Sequence, residues 1–273
     1  QLPTILDAAK NISPDILLTL TTPAMLAAAK REQEIPIVFT IASDPIALGT
    51  FTRQTVPGNL TGVHDDPPVD RLLDMAVERH PGLAKVGIVY DPSQPNAVLS
   101  VVKLRGACAK KNVKLVEATA SALSELSVAV QSLIQQGVDA LLLSADNLVC
   151  TGFSVIQKNM SAAGIPIYVT DINLMEEGAT GAIGEDYGAW AAQSGRMAAK
   201  VLAGVPCREI PLQTAEVQLV LAPKAKVSAP PVVEPKRPVE IRIVRYNDAV
   251  FSEDTTRGIL DGFHAAGWQE GRE

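Results

Sequence analysis

Aromatic residues are scarce in this chain, only 4% of 273 residues. That is too few for a surface that stacks bases, and no run of Lys or Arg marks one face as basic. With a net charge of −6 and a pI near 5.2, a nucleic-acid partner is not expected. Cysteine is equally sparse. Cys108, Cys150 and Cys207 lie far apart with no CxxC pair, which argues against a disulfide framework and against a zinc site. In their apolar settings Cys108 and Cys150 read as core thiols. No apolar run reaches the roughly 18 residues needed to cross a bilayer. No secretory leader pattern stands at the front of the sequence. Long blocks of like charge are missing too, so no disordered tail is indicated.

Catalytic signatures are missing as well. There is no GxSxG elbow, no Walker A loop and no HExxH. His64, His80 and His264 are scattered. Gly178, Gly181 and Gly184 are spaced GxxGxxG, which departs from the dinucleotide fingerprint and lies within a strand-like stretch. No metal and no cofactor is expected. An enzyme using Asp and Ser for acid–base work is the weakest of the readings.

What is present is an alternation of short apolar runs with helical stretches, the pattern of βα units and parallel sheets. Hydrophobic residues reach 47%, enough for two cores of about 100–150 residues each. The expected fold class is α/β with two lobes, each a parallel sheet flanked by helices. Strands are expected near 15–20, 35–40, 57–63, 85–90, 113–117, 138–143, 165–169, 178–184, 216–221 and 239–246. Helices are expected at 2–10, 24–31, 69–79, 97–111, 123–136, 147–163, 187–202 and 253–266. Five prolines in 222–238 read as a stiff linker. The series opens on a helix with no strand before it and closes on a strand and helix with no successor. The closing unit is therefore expected to complete the opening lobe, as in a circular permutation or a module cut from a tandem array. The expected division is 1–63 with 183–228 and 239–273 for one lobe, and 64–182 for the other.

The carboxyl ends of the expected strands are chemically alike. They are Thr21-Thr22-Pro23, Ser43-Asp44-Pro45, Asp91-Pro92-Ser93, Ser144-Ala145-Asp146-Asn147 and Thr170-Asp171. Ligands of parallel sheets bind at such ends. Helix starts hold carboxylates or phosphates, and Asp residues hold ammonium groups, so the set suits a zwitterion such as an amino acid. Each turn taken alone fits a helix cap at least as well. Its repetition in two successive halves favours a ligand cleft.

The stretches Thr22-Pro23-Ala24, IPIVFTIASDPIALG (35–49), PGNLTGV (57–63), VGIVYDPSQPNAV (86–98), VDALLLSADNLV (138–149), GIPIYVTD (164–171) and GAIGEDYGAWAAQSGRMAAKVLAG (181–204) follow one another in the order seen in a known family. The sequence resembles the ABC transporter substrate-binding proteins of the tryptophan and tyrosine type, with the type I periplasmic-binding-protein fold. The segment 242–271 resembles that family's first strand and helix, displaced to the carboxyl end. The resemblance implies a periplasmic or extracellular protein, lipid-anchored in some arrangements. It would bind a small molecule, an aromatic amino acid for preference, and deliver it to an ABC permease. The same lobes could instead serve as the sensor of a membrane receptor. The resemblance places Thr22, Ser43, Asp44, Ser93, Asn96, Asp146, Asn147 and Asp171 at the ligand, and the strand-end turns add Thr21, Pro23, Asp91 and Thr170 to the expected site. Thr22 and Ser43 would hold a carboxylate, and Asp146 or Asp171 an amine. It also implies closure about segments near 61–66, 178–184 and 209–213. A segment-swapped dimer through 239–273 is a further expectation.

Overall fold

A computed structural model describes residues 2–215, 241–244 and 250–267. The expected strand at 216–221 and the proline-rich linker at 222–238 lie outside the described residues. In chain order the main elements are α1 (Leu2–Asn11), β1 (Ile16–Leu20), α2 (Thr22–Arg31), β2 (Ile37–Ser43), β3 (Leu60–Asp65), α3 (Val69–Arg79), β4 (Lys85–Tyr90) and α4 (Pro95–Lys111). Then come β5 (Lys114–Thr119), α5 (Leu123–Gln135), β6 (Ala140–Leu143), α6 (Asn147–Thr151), α7 (Phe153–Ala162), β7 (Ile167–Val169), β8 (Gly181–Ala182), α8 (Tyr187–Leu202), β9 (Gln213–Thr214), β10 (Ile241–Val244) and α9 (Val250–Ala265).

These elements form two compact units. Among the described residues one holds 2–66, 186–215, 241–244 and 250–267, and the other holds 67–185. The first has a sheet of order β10-β1-β2-β3-β9, the second a sheet of order β5-β4-β6-β7-β8, and every pairing is parallel. Parallel strands are covered on both faces, so they read as unbroken apolar runs. β1 is Ile-Leu-Leu-Thr-Leu and is buried throughout.

In the second unit the strand period of two sorts side chains cleanly. Leu141, Leu143, Ile167 and Val169 join Leu126, Leu133, Phe153 and Ile156 beneath α5 and α7. Val86, Ile88, Leu142 and Tyr168 join Leu72, Leu73, Val101 and Leu104 beneath α3 and α4. Each large side chain so buried contributes about 1.5–3 kcal/mol. In the first unit Leu17, Ile37 and Phe39 meet Leu6, Met25 and Leu60 on the α1–α2 side.

The carboxyl-terminal strand and helix belong to the first unit. β10 pairs with β1, Ile16 opposite Ile241 and Thr19 opposite Val244. α9 packs on α8 along a seam of small residues. A Cβ on Gly262 would meet the Ala192 carbonyl and approach Gly195 Cα at 2.9 Å, so the two helix backbones meet with no room for a side chain.

Three elements depart from the sequence reading. The single helix expected over 147–163 breaks at Gly152 into α6 and α7; a Cβ there would collide with Leu126 Cδ1. β2 runs on to Ser43 through a register shift between Phe39 and Ala42, where Ile41 takes φ 49°. The glycine-spaced strand expected over 178–184 shrinks to Gly181–Ala182 and pairs with β7 inside the second unit.

Candidate functional site

All the strands being parallel, each unit presents one carboxyl edge, and the polar turns of the sequence gather there. The two edges are built differently.

In the second unit most polar groups of the edge join one hydrogen-bond network, although the buried Asn96 Oδ1 accepts no bond among the described residues. Asp146 is fully buried and caps α6: its Oδ1 accepts from the Leu148 and Val149 amides at 2.7 and 3.2 Å. Its Oδ2 accepts from the Asp91 amide at 2.7 Å, which ties the end of β4 to that of β6. Gln94, also buried, donates to Asp91 Oδ2 at 3.0 Å and to Asp146 Oδ1 at 3.2 Å. The Gln94 Oε1 atom accepts from Asn147 Nδ2 at 2.6 Å. Asp91 Oδ1 accepts from the amide and hydroxyl of exposed Ser93 at 2.9 and 2.7 Å. Asn96 donates to the Ala145 carbonyl at 3.2 Å, and Thr170 Oγ1 accepts from the Ala145 amide at 2.9 Å. Asp171 Oδ1 accepts from the Asn173 amide at 3.0 Å, and its Oδ2 lies 3.8 Å from Cys150 Sγ.

The charges respond to these surroundings. Burial raises the Asp146 carboxyl above its ordinary range despite the amides that favour its anion. Burial pulls Asp91 the same way, but the bonds from Gln94 and Ser93 outweigh it and leave Asp91 below its ordinary value. The Cys150 thiol is pushed well up by burial and by Asp171 and Asp146 beside it, so it stays protonated. The Asp91, Asp146 and Asp171 carboxylates make this edge negative.

In the first unit polar atoms are left over. Thr21, at the end of β1, takes φ 77° and is buried, and its Oγ1 has no hydrogen-bond partner among the described residues. The hydroxyls of Thr19 and Thr40 are likewise buried and unpartnered among the described residues. A positive φ on a β-branched residue costs on the order of 1–3 kcal/mol, and here Thr21 and Ile41 both carry one. The Thr21 amide donates to the Thr40 carbonyl at 3.2 Å, which holds the two distorted strand ends together. Thr22 Oγ1 accepts from the Ser43 amide at 3.0 Å, and Pro23 occupies the first turn of α2. Asp44 Oδ1 accepts from the Ile46 amide at 2.8 Å. The amino end of α2 opens on this edge and favours negative charge there.

Some residues the sequence did not mark take part. Gln94 bridges four groups, yet a glutamine before Pro95 reads only as turn. Thr40 looks like ordinary strand. Several aromatic side chains are packed away: Phe39 and Tyr168 are fully buried in cores, and Tyr90 and Tyr187 are buried as well. Trp190 is also interior, its indole N–H donating to the Val63 carbonyl at 3.0 Å. Among the described residues no group of His, Cys, Asp and Glu is arranged to hold a metal, and no helix is long and apolar enough to cross a membrane.

Comparison with known proteins agrees with this architecture. A model of the ABC transporter substrate binding protein family matches residues 1–228. The chain belongs to that family. A Tyrosine-binding protein of Clostridioides difficile is 29% identical over 201 residues; the match covers 73% of this chain and 58% of that protein, so this chain spans little more than half of its relative. A solved conserved domain protein from Vibrio cholerae is 29% identical with a TM-score of 0.76, covering 81% of this chain and 75% of the other. An ABC domain from Streptococcus pneumoniae, solved in complex with L-Trp, has a TM-score of 0.74 at 21% identity, covering 79% and 75%, and shares the fold. This substrate-binding family member thus has the two-sheet α/β fold of solved relatives.

Proposed function

We propose that this chain is the solute-binding component of an ABC importer and that its cargo is an amino acid. One observation carries the reading: the two carboxyl edges have opposite chemistry. The first unit offers unpartnered threonine hydroxyls and a helix amino end, suited to a carboxylate. The second offers Asp91 and Asp171 beside buried Asp146, suited to an ammonium group. Thr21, Thr22 and Ser43 take the carboxylate, and Asp171, with Asp91 and Asn96 nearby, takes the amine. The carboxylate of Asp146 is engaged by four internal donors, so its part is to hold Asp91 and Asn147 in place. An aromatic side chain is favoured because the relative at 29% identity is named for tyrosine.

On this reading the ligand leaves chemically unchanged, the protein works outside the cytoplasm, lipid-anchored or free, and its partner is the membrane permease. The terminal strand and helix complete the first unit's sheet. A dimer that exchanges residues 239–273 would use the same surfaces between two chains.

The test is a thermal-shift series followed by calorimetry. L-Tyrosine, L-tryptophan and L-leucine are compared with tyramine, which lacks the carboxylate, and 4-hydroxyphenylpropionate, which lacks the amine. A ligand at a hundred times its Kd adds about 2.7 kcal/mol of stability. Stabilisation by the zwitterions and by neither truncated compound is the expected result. Equal stabilisation by a truncated compound, or no response to any amino acid, would overturn the assignment.

A further inference from the structure

The connection between β2 and β3 contains no α-helix; residues 44–59 run as turns. The sheet face carrying Leu60 and His64 is therefore walled by loop on one side and by residues 207–212 on the other, and a groove of about 530 Å³ remains between them. This lies within the usual range for small-molecule sites, about 300–1,000 Å³. The groove belongs entirely to the first unit.

Its lining is divided. Ile46, Val56, Leu60, Ile210 and Leu212 supply apolar walls. Arg53 and Arg208 are both exposed, both line the groove, and neither has a hydrogen bond or an ion pair among the described residues. The other formal charge in the lining is Asp44, whose carboxylate already accepts from the Ile46 amide. Two guanidinium groups against one carboxylate leave one positive charge in excess, in a protein whose net charge is −6. Unpaired arginines on an otherwise apolar groove match a carboxylate head, which a guanidinium fork binds by two parallel hydrogen bonds.

We propose that this groove is a second ligand site, specific for a monocarboxylate with an apolar body, of the chemical class of a medium-chain fatty acid. Arg53 and Arg208 bind the head, and Ile46, Val56 and Leu212 cover the tail. The proposal does not depend on the amino-acid reading, and the two fail separately.

The experiment titrates the full chain with octanoate labelled at the carboxyl carbon and follows the label by NMR. Octan-1-ol and acetate serve as probes that have the tail or the head alone. Saturable octanoate binding is expected, at least about ten-fold tighter than octan-1-ol, which lacks the charge-assisted hydrogen bonds, and than acetate, which lacks the buried apolar tail. Arg53→Gln and Arg208→Gln should each weaken octanoate about ten-fold and leave the amino-acid thermal shift unchanged. Gly58 lines the groove and a Cβ on it meets nothing within 4 Å, so Gly58→Trp adds bulk at the groove without removing a charge; it should weaken octanoate binding in a folded protein. Three results would overturn the proposal: no saturable binding, octanol binding as well as octanoate, or octanoate affinity indifferent to both arginine changes.

Discussion

The two carboxyl edges start from similar material, short polar residues after apolar strands, and use it in opposite ways. In the second unit Asp91, Gln94, Asp146 and Asn147 satisfy one another, and two strand ends are locked together. In the first unit Thr19, Thr21 and Thr40 keep buried hydroxyls without partners among the described residues, and Thr21 and Ile41 sit in strained backbone. A satisfied buried network fixes geometry, whereas unpaired buried groups cost stability and keep their hydrogen-bonding capacity in reserve. The network around Asp146 therefore holds its geometry before ligand arrives, while Asn96 Oδ1 beside it keeps an unused acceptor among the described residues. The first edge carries strain and gains most from a ligand that supplies the missing partners.

The largest expected effect comes from breaking the network around Asp146. Asp146→Ala removes the α6 cap and leaves the Asp91 amide without an acceptor in a buried place, while Gln94 keeps its bonds to Asp91 and Asn147. Destabilisation of about 2–4 kcal/mol is expected, from a lost cap together with an unsatisfied buried group. Urea denaturation gives the size. Hydrogen exchange gives the place, with protection lost at Leu148, Val149 and Asp91; a loss under about 1 kcal/mol would mean that the network is dispensable.

A change at the open edge should have the reverse sign. Thr21→Gly relieves the positive φ and removes an unpartnered hydroxyl, so the free protein is expected to gain about 1 kcal/mol. The same variant should bind its amino acid at least about ten-fold more weakly, because it loses a proposed donor. A loss of stability together with unchanged affinity would remove the functional meaning of the strain. A smaller version is Thr40→Val, nearly isosteric, which replaces a buried unpaired hydroxyl by a methyl. A gain of about 0.5–1 kcal/mol is expected from thermal unfolding of the ligand-free protein. Equal destabilisation by Thr40→Val and Asp146→Ala would erase the contrast between the edges.

Much of this architecture can be read in the sequence, because apolar period decides it. Val69–Arg79, Lys85–Tyr90 and Tyr187–Leu202 have the bounds that their periodicity predicts. The breaks come from contacts that a single sequence does not display. The continuous helical pattern breaks at Gly152, whose φ of −98° and ψ of 11° leave the helical region, and Leu126, on another element, packs where any Cβ would stand. β2 is lengthened by a register shift at Ile41, a residue with strong preference for regular strand. At the site the residue types are visible and their roles are not. Asp146 and Asp171 look alike as strand-end carboxylates, yet one is enclosed by four donors and the other lies against a thiol. Only tertiary bonding separates the one role from the other.

The smallest effect is in acid, where Asp91 and Asp146 act in opposite directions. Asp91 has a lowered carboxyl, so the stability it contributes is present above the unfolded value of about 3.9 and is lost as pH falls through its lower folded value. Asp146 has a raised one. As pH rises above about 3.9 the unfolded chain releases that proton first, so stability falls until the folded carboxyl ionises too. On acidification towards about pH 3.9 Asp146 therefore adds stability first, and below that value Asp91 withdraws it. The difference between wild type and Asp146→Asn should lack the first limb, and that between wild type and Asp91→Asn the second, whatever the other carboxylates contribute to both. Urea midpoints taken at close pH intervals on both sides of the ordinary carboxyl value of about 3.9 would resolve the limbs. Parallel curves for all three proteins would mean that the two carboxylates do not differ in their folded surroundings, and that the network around Asp146 is less tightly bonded than its distances imply.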